Sequence, residues 1–340
     1  MRRPSIQLIC QLLAVSLLAG CSRSDDTITE APSSQETMTV KSKLQLELVG
    51  RLPRKPGGSV GHLTLHGKHV LLVNEDAGFQ VVDVSNPAAP RTTGSYRPKH
   101  YLGPFAASGD HAYVVEKENR LRVLNVSDPA RPRVVGSRQL PDEIVGLAAA
   151  GTHVYMSMSE SLRVLDVSDP TSPEEVGVCG DLELAGRVTV AGNYAYVAAD
   201  FNGMRIIDVS NPAKPKEIGS FEGPGNVTKI AIVDKYAYLA DYSGGLYVVD
   251  ISNPKKPRQI GRYGDFVVGD VAVAGNYALL AAGLLDVIDV SKPARPKQAG
   301  SFSQEDGDTA WSVASAGDYV YTISDAGLFI FRLMSPAVSR

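Results

Sequence analysis

Cysteine is scarce in this chain, which has three cysteines among 340 residues. Cys10 and Cys21 lie near the N-terminus, so Cys179 stands alone in the remainder. A single thiol cannot form an internal disulfide. The folded part must therefore be stabilised by packing, for which a chain of this length is sufficient.

An excess of positive charge is also missing. The sequence has 34 Lys and Arg against 37 Asp and Glu, a formal net charge of −3. Nucleic-acid-binding surfaces are strongly basic, so this composition argues against DNA or RNA as a partner. The chain contains no Cys-x-x-Cys pair, no His-Glu-x-x-His motif and no P-loop. We therefore predict no metal, no cofactor and no catalytic residue set.

What the sequence does contain is an internal repeat. A turn close to Asp-Val-Ser-x-Pro starts at 83, 125, 166, 208, 250 and 289, at intervals of 42, 41, 42, 42 and 39 residues. A nearly fixed period of this size marks a repeat architecture. Each unit holds four short segments rich in Val, Ile and Tyr, and none has a sustained helical period. Four strands in about 42 residues are typical of one β-propeller blade.

The two ends of the repeat region predict seven blades. The last unit ends before its fourth strand, whereas residues 46–52, LELVGRL, resemble a fourth strand but precede the first unit. We predict that this N-terminal strand pairs with residues 328–333 and completes the last blade, which removes an exposed sheet edge. The predicted fold is therefore all-β, a seven-bladed propeller of four-stranded blades over residues 44–334.

The repeated turn is predicted to be scaffold. Its Asp and Ser side chains can hydrogen-bond nearby backbone amides, and its prolines end the strand. Asn125 and Arg332 stand where the other units have aspartate. A catalytic ring would not readily tolerate such replacements, so we assign this column a structural role.

The third segments carry a resemblance to a known family. The runs FQVVDVS, LRVLDVS, MRIIDVS, LYVVDIS and LDVIDVS resemble the LVIVD repeat of bacterial and archaeal cell-surface proteins. The resemblance extends over roughly residues 60–333. It implies an exported β-propeller at the cell envelope, and it implies little about activity.

The N-terminal residues predict export and anchoring. Arg2 and Arg3 precede an apolar stretch over 8–19, which is too short to span a membrane as a mature helix. The segment LLAGC at 17–21 resembles the lipobox of bacterial lipoproteins, which implies a signal peptide over 1–20 and lipid chains on Cys21. The alternative is an ordinary secretory signal with a chance cysteine.

The residues between this cysteine and the propeller predict a tether. Within 21–43, the segment after Cys21 is polar, and its reach is at most about 70 Å. Residues 335–340 form a short tail. We expect the membrane to be a partner through the lipid on Cys21, with the propeller outside the cytoplasm. Ser22 after the cysteine, rather than Asp, indicates the outer membrane if the host is Gram-negative.

One position in each blade breaks the repeat. In each blade this position lies five residues before the tight turn that follows the first strand, such as the turn at Gly67. It is therefore near the start of that strand, which is the innermost one. It is occupied in order by His62, Pro104, Gly146, Arg187, Lys229, Asp270 and Ser312. The next position is apolar in every blade, so it serves packing, whereas the variable column is open to function. We call these seven positions the channel column.

The channel column predicts a ligand site at the mouth of the channel. We predict that it comprises His62, Arg187, Lys229 and Asp270, with His100, Tyr101 and Trp311 nearby. Two cations, a carboxylate and aromatic rings suit an anionic or sugar-like ligand. The alternative is that Arg187, Lys229 and Asp270 neutralise one another around a wet channel.

Two classes of function follow from these features. The first is a non-catalytic binding module, whose loop-rich channel face takes an envelope protein or a glycan. The second is an extracytoplasmic enzyme, such as a hydrolase or lactonase, with its site at the channel mouth. The absence of a catalytic set favours the first class, and fold alone does not decide between them.

Overall fold

The structure, a computed structural model, describes residues 44–54, 60–74, 77–98, 102–182, 186–199, 202–223, 225–302 and 309–334. The predicted signal peptide, lipidated cysteine, tether and tail lie outside these residues, as do His100 and Tyr101. No helix in the described part of the chain is long and apolar enough to cross a membrane.

All regular structure in these residues is β-strand, as the sequence predicts. The first half of the chain contains β1 Gln45–Pro53, β2 Val60–His66, β3 His69–Asn74, β4 Gly78–Asp83, β5 Arg91–Tyr96, β6 Leu102–Ser108, β7 His111–Glu116, β8 Arg120–Asn125, β9 Arg133–Gln139, β10 Ile144–Ala150, β11 His153–Met158, β12 Ser161–Asp166 and β13 Glu174–Cys179. The second half contains β14 Val188–Ala191, β15 Tyr194–Ala198, β16 Met204–Asp208, β17 Lys216–Phe221, β18 Val227–Val233, β19 Tyr236–Asp241, β20 Gly245–Asp250, β21 Arg258–Tyr263, β22 Asp270–Ala274, β23 Tyr277–Ala282, β24 Leu284–Asp289, β25 Lys297–Phe302, β26 Ser312–Ala316, β27 Tyr319–Ser324 and β28 Gly327–Met334.

The strands form seven four-stranded antiparallel sheets, which confirms the predicted seven-bladed propeller. Blades 1 to 6 are four consecutive strands each, from β2–β5 through β22–β25. Blade 7 consists of β26, β27, β28 and β1. In that blade β1 pairs antiparallel with β28, so that Leu46 lies opposite Leu333 and Leu52 opposite Leu328. The predicted closure by the N-terminal strand is therefore also confirmed.

The hydrophobic core lies between the blades. Buried apolar side chains form seven clusters, and each cluster joins two neighbouring blades. One example joins Val115 of blade 2 to Met156 of blade 3, and another joins Val70 of blade 1 to Ile323 of blade 7. Because each blade buries both faces against its neighbours, stability comes from nearest-neighbour interfaces around a closed ring.

The repeated proline turns have the predicted scaffold geometry. The residue of the aspartate column accepts a hydrogen bond from the backbone amide two positions later, as in Asp83 to Ser85 at 2.9 Å and Asp166 to Ser168 at 2.8 Å. The same bond is present in the four other turns of this type. Hydrogen bonds from Ser85, followed by the one from Arg91, lower the pKa of Asp83 to about 2.

These turns also connect each of blades 1 to 6 to the blade before it. Each turn places its first proline carbonyl against a glycine in the fourth strand of the preceding blade. The pairs are Gly50–Pro87, Gly94–Pro129, Gly136–Pro170, Gly177–Pro212, Gly219–Pro254 and Gly261–Pro293. A Cβ atom at any of these glycines would lie 1.9–2.2 Å from the proline oxygen. The turn and the glycine therefore form a seam that only a residue without a side chain permits, since real Cβ atoms do not approach so closely.

Candidate functional site

The channel column lines the centre of the ring. The first strands of neighbouring blades contact one another, so they are the innermost strands. Each channel-column residue lies at or near the start of such a strand. Blades 4 to 7 and blade 1 provide polar side chains, whereas blades 2 and 3 provide Pro104 and Gly146. The polar groups therefore occupy one arc of the channel rather than its whole circumference.

The absence of a side chain at Gly146 leaves space for the backbone at Arg187 in the next blade. A Cβ atom here would lie 2.7 Å from the Cα of Arg187 and 2.6 Å from Oγ of Ser157. The Ser157 hydroxyl in turn donates a hydrogen bond to the carbonyl of Gly186. Gly146 thus allows the backbone of Arg187, which directly precedes β14, to approach blade 3 closely.

Arg187 and His62 meet inside the channel. Nη2 of Arg187 lies 2.6 Å from Nε2 of His62, although these residues belong to blades 4 and 1. The guanidinium can only donate, so Nε2 accepts and the neutral imidazole carries its proton on Nδ1. That Nδ1 atom is buried and has no hydrogen-bond partner among the described residues.

The surroundings of His62 keep its ring neutral. Burial is the largest cause, and the positive charges of Arg187 and Lys229 add to it; together they lower the pKa of His62 well below its ordinary value of 6.5. A neutral ring is the form that can accept a hydrogen bond from Arg187, so the geometry and the electrostatics agree.

Arg187 and Lys229 are cations without an ion-pair partner in the described part of the chain. The ion pairs found there involve other residues. Burial lowers the pKa of both side chains, and the negative charge of Asp270 opposes this effect at each of them. Asp270 is therefore close enough to act electrostatically, but it makes no direct ion pair with either cation.

Asp270 uses its oxygens within blades 6 and 7. Its Oδ2 accepts hydrogen bonds from the Ser312 hydroxyl at 2.5 Å and from the Val313 amide at 3.2 Å, and its Oδ1 accepts from the Val271 amide at 2.9 Å. The residue as a whole is 3% exposed. Asp270 thus joins two blades, and the predicted mutual neutralisation accounts for only part of its surroundings.

A cavity of about 260 Å³ lies beside this arc. It is lined by His62, Leu63, Thr64, Pro104, Phe105, Ala106, Ala107, Val145, Gly146, Leu147, Ala148, Ala149, Arg187, Val188, Thr189, Val190 and Lys229. The charged and polar side chains are His62, Arg187 and Lys229 with two threonines, and the remaining wall is apolar or small. The cavity can therefore hold an anionic group at one side and apolar atoms at the other.

The structure brings only part of the predicted site together. His62, Arg187 and Lys229 line the cavity, whereas Asp270 and Trp311 do not. Trp311 is 48% exposed, and its backbone amide donates to the carbonyl of Ile323. The ligand-binding role of all these residues, and of His100 and Tyr101 outside the described residues, remains a prediction.

The apolar wall was missed by sequence reasoning, although a signal for it exists. Two positions after the channel column the chain has Thr64, Ala106, Ala148, Thr189, Ala231, Ala272 and Ala314. Small residues at this position keep the channel open, which their regular spacing could have indicated. Among the described residues, no group of three or more His, Cys, Asp or Glu side chains could hold a metal ion.

Seven four-stranded blades around a channel define a seven-bladed β-propeller. Many solved structures share the architecture, among them the β-propeller domain of Cps50 (Swd1) from Myceliophteria thermophila. That domain is matched over its whole length and over 85% of this chain, with a TM-score of 0.68 and 9% sequence identity. At such low identity the likeness shows the fold alone.

The sequence itself assigns the family. Six successive segments match the model of the LVIVD repeat, at residues 57–97, 105–139, 145–181, 184–222, 224–265 and 267–304. These segments make up more than half of the chain, which therefore belongs to the LVIVD repeat family. No curated protein matches the sequence.

Proposed function

We propose that this protein is a lipid-anchored, non-catalytic binding module of the bacterial cell envelope that takes an acidic group into its channel. The LVIVD propeller supplies the rigid frame. The partner class that fits is a molecule with a carboxylate, presented by an envelope protein or a glycan or free in solution. The sequence LLAGC at 17–21 supports the anchoring part of the proposal.

The observation that carries the binding part is a pair of cations that have no ion-pair partner among the described residues. Arg187 and Lys229 line one cavity, and neither forms an ion pair with a described residue. Partly desolvated cations are costly unless they are paired. A carboxylate between them would form charge-assisted hydrogen bonds, which are stronger than neutral ones.

The state of His62 favours binding over catalysis. Its Nε2 already accepts from Arg187, and its Nδ1 is buried. A general base must have a lone pair within reach of the substrate. His62 offers no free lone pair to the cavity in this arrangement, so it supports the cation rather than acting as a base.

The N-terminal sequence, an apolar stretch over 8–19 followed by a polar segment over 22–43, supports a position at the membrane surface. The polar tether over 22–43 would let the propeller stand clear of the bilayer, with a reach of at most about 70 Å. If the host is Gram-negative, Ser22 after the lipidated cysteine favours the outer membrane. The open channel mouth would then be accessible to molecules of the envelope.

Thermal-shift assays on the full-length protein test the binding part. The panel is acetate, benzoate and glucuronate as acids, with glucose as the neutral partner of glucuronate. We expect at least one acid to raise the melting temperature of the wild type, and none to do so for Arg187→Met/Lys229→Met. Equal shifts in wild type and variant, or no shift with any acid, would refute an acid site in the channel.

The same variant addresses the enzyme alternative. A panel of esters and lactones is incubated with the wild type and with Arg187→Met/Lys229→Met. We expect the wild type to leave them unchanged. Hydrolysis by the wild type that the double variant loses would overturn the non-catalytic assignment.

A further inference from the structure

We propose that the channel binds a small monocarboxylate with a compact apolar body. Its carboxylate would contact Arg187 and Lys229, and its body would lie against the innermost strands of blades 2 and 3. This inference rests on the proposed function and names the ligand class for the same site.

The asymmetry of the channel column is the first argument. Blades 2 and 3 have no polar side chain in this column, since they provide Pro104 and Gly146. The cavity wall on their side includes the apolar side chains of Phe105, Ala106, Ala107, Val145, Leu147 and Ala148. A fully polar ligand would leave its hydroxyl groups unpaired against this wall, which is unfavourable. Apolar atoms gain free energy there by leaving water.

The size of the cavity is the second argument. An apolar cavity of about 150 Å³ is known to hold one benzene molecule. The volume of about 260 Å³ here is therefore enough for a carboxylate and a body of roughly one ring. A long fatty acid would exceed it.

The charge balance is the third argument. Arg187 and Lys229 line the cavity, and among the residues that the structure describes Asp270 is the acidic side chain that acts on both. Two cations and one carboxylate leave one positive charge, which a monoanion neutralises. A dianion would bring excess negative charge close to Asp270.

The first experiment compares three ligands by isothermal titration calorimetry on the full-length protein. Benzoate has both parts, acetate has only the carboxylate, and benzyl alcohol has only the body. We expect benzoate to bind at least tenfold more tightly than either of the others. Acetate binding as tightly as benzoate would overturn the inference and leave the proposed acid site intact. No binding by benzoate or acetate would overturn the inference, and the proposed acid site falls with it if glucuronate does not bind either.

A second experiment fills the apolar side of the cavity. Ala148→Leu places extra atoms in the cavity, whereas Ala272→Leu changes the same repeat position in blade 6, which does not line it. We expect benzoate to bind at least tenfold more weakly to Ala148→Leu, with acetate affinity unchanged, and the Ala272→Leu control to behave as the wild type. Equal loss in both variants, or no loss in Ala148→Leu, would overturn the placement of the body.

A second pair of variants repeats the test at another position, in case a variant of the first pair misfolds. Ala106→Leu lines the cavity from blade 2, and Ala314→Leu is its counterpart in blade 7, outside the lining. The same contrast is expected between them. Melting curves establish that each variant is folded before its titration is compared.

Discussion

The guanidinium of Arg187 and the imidazole of His62 are joined across the channel, with 2.6 Å between Nη2 and Nε2 and 125 positions between the residues in the chain. In the ring of blades they are not neighbours, because two blades separate them on the shorter side. The contact therefore depends on the whole ring being closed. It also depends on His62 being neutral, which makes it sensitive to pH.

Acidification is expected to lower the stability of the fold that holds this contact. The pKa of His62 is lowered in the folded protein, by burial first and then by Arg187 and Lys229, and it returns to about 6.5 on unfolding. Below that pH the unfolded chain binds a proton that the folded protein does not, so the free energy of unfolding falls by at most about 1.4 kcal/mol per pH unit. Urea unfolding of the wild type and His62→Gln at pH 7.5 and 5.5 measures this. Gln keeps an acceptor for Arg187 but does not titrate. An identical pH dependence in both proteins would contradict the prediction, and His111→Gln is the control outside the channel.

The glycine seam predicts a large effect from one methyl group. A Cβ at Gly136 would lie 2.0 Å from the carbonyl oxygen of Pro170 in the next blade. We expect Gly136→Ala to lower the free energy of unfolding by about 1–3 kcal/mol, because backbone must shift to make room. Gly180→Ala is the control, since no atom lies within 4 Å of the added methyl group. Chemical denaturation of both variants gives the comparison, and equal stabilities would argue against the seam.

Asp234 predicts a stabilising substitution. It has φ of 51°, in the left-handed region, at a turn where blades such as blade 4 have glycine, as in Gly192 with φ of 57°. Asp234→Gly should raise the free energy of unfolding by about 0.5–1 kcal/mol, because an L side chain is strained in this conformation. Gly192→Asp should lower it by a similar amount. Thermal melts of the two reciprocal variants check the sign, and a shift in the same direction for both would show that the backbone conformation is not the cause.

Closure of the ring predicts the outcome of an N-terminal deletion. Removing residues 44–52 deletes most of β1 and exposes the edge of β28. We expect aggregation or a large loss of stability, because an unpaired edge strand recruits other chains and the core between blades 7 and 1 loses Val49 and Leu52. Light scattering and melting curves measure both effects. A control deletion of 25–40, in the predicted tether, should change neither. A monomeric 44–52 deletion with unchanged melting would contradict the role of closure.

Anchoring predicts a change in membrane partitioning. Cys21→Ala should move the protein out of the detergent-extracted membrane fraction, or leave the signal uncleaved, and should abolish incorporation of labelled lipid. Cys10→Ala lies in the predicted signal and should leave lipid labelling in place. If Cys21→Ala keeps both the label and the membrane fraction, lipidation of this cysteine is wrong.

The arrangement of blades could be predicted because the period and the strand signals repeat. The composition of the last blade could also be predicted, because residues 46–52 resemble a fourth strand but precede the first unit. The channel column could also be found, since a variable position beside an apolar one stands out when the seven units are aligned. The contact between Arg187 and His62 could not be predicted, because it depends on side-chain conformation and on the distance across a closed ring.

The shape of the site was harder to predict than its charge. Pro104 and Gly146 are unremarkable as single residues, but together they leave one side of the channel without polar groups. Asp270 was expected beside the cations, and its bonds to Ser312 and Val313 follow only from the contact between blades 6 and 7. Trp311 is adjacent to Ser312 in sequence, yet it is half exposed and does not line the cavity.

The pairing of each proline turn with a glycine one blade earlier has a consequence for how such a protein can change by duplication or exchange of units. The proline turn of a transplanted blade requires a glycine in the fourth strand of the blade that now precedes it. The glycine of the transplanted blade must likewise lie opposite the proline turn of the blade that now follows it. Gly136 and Pro170, for example, belong to different units but constrain each other. Exchange at unit boundaries therefore preserves the ring only when both partners of the junction already match. Because six junctions use the same glycine–proline contact, units can be gained or exchanged without a new type of contact between blades.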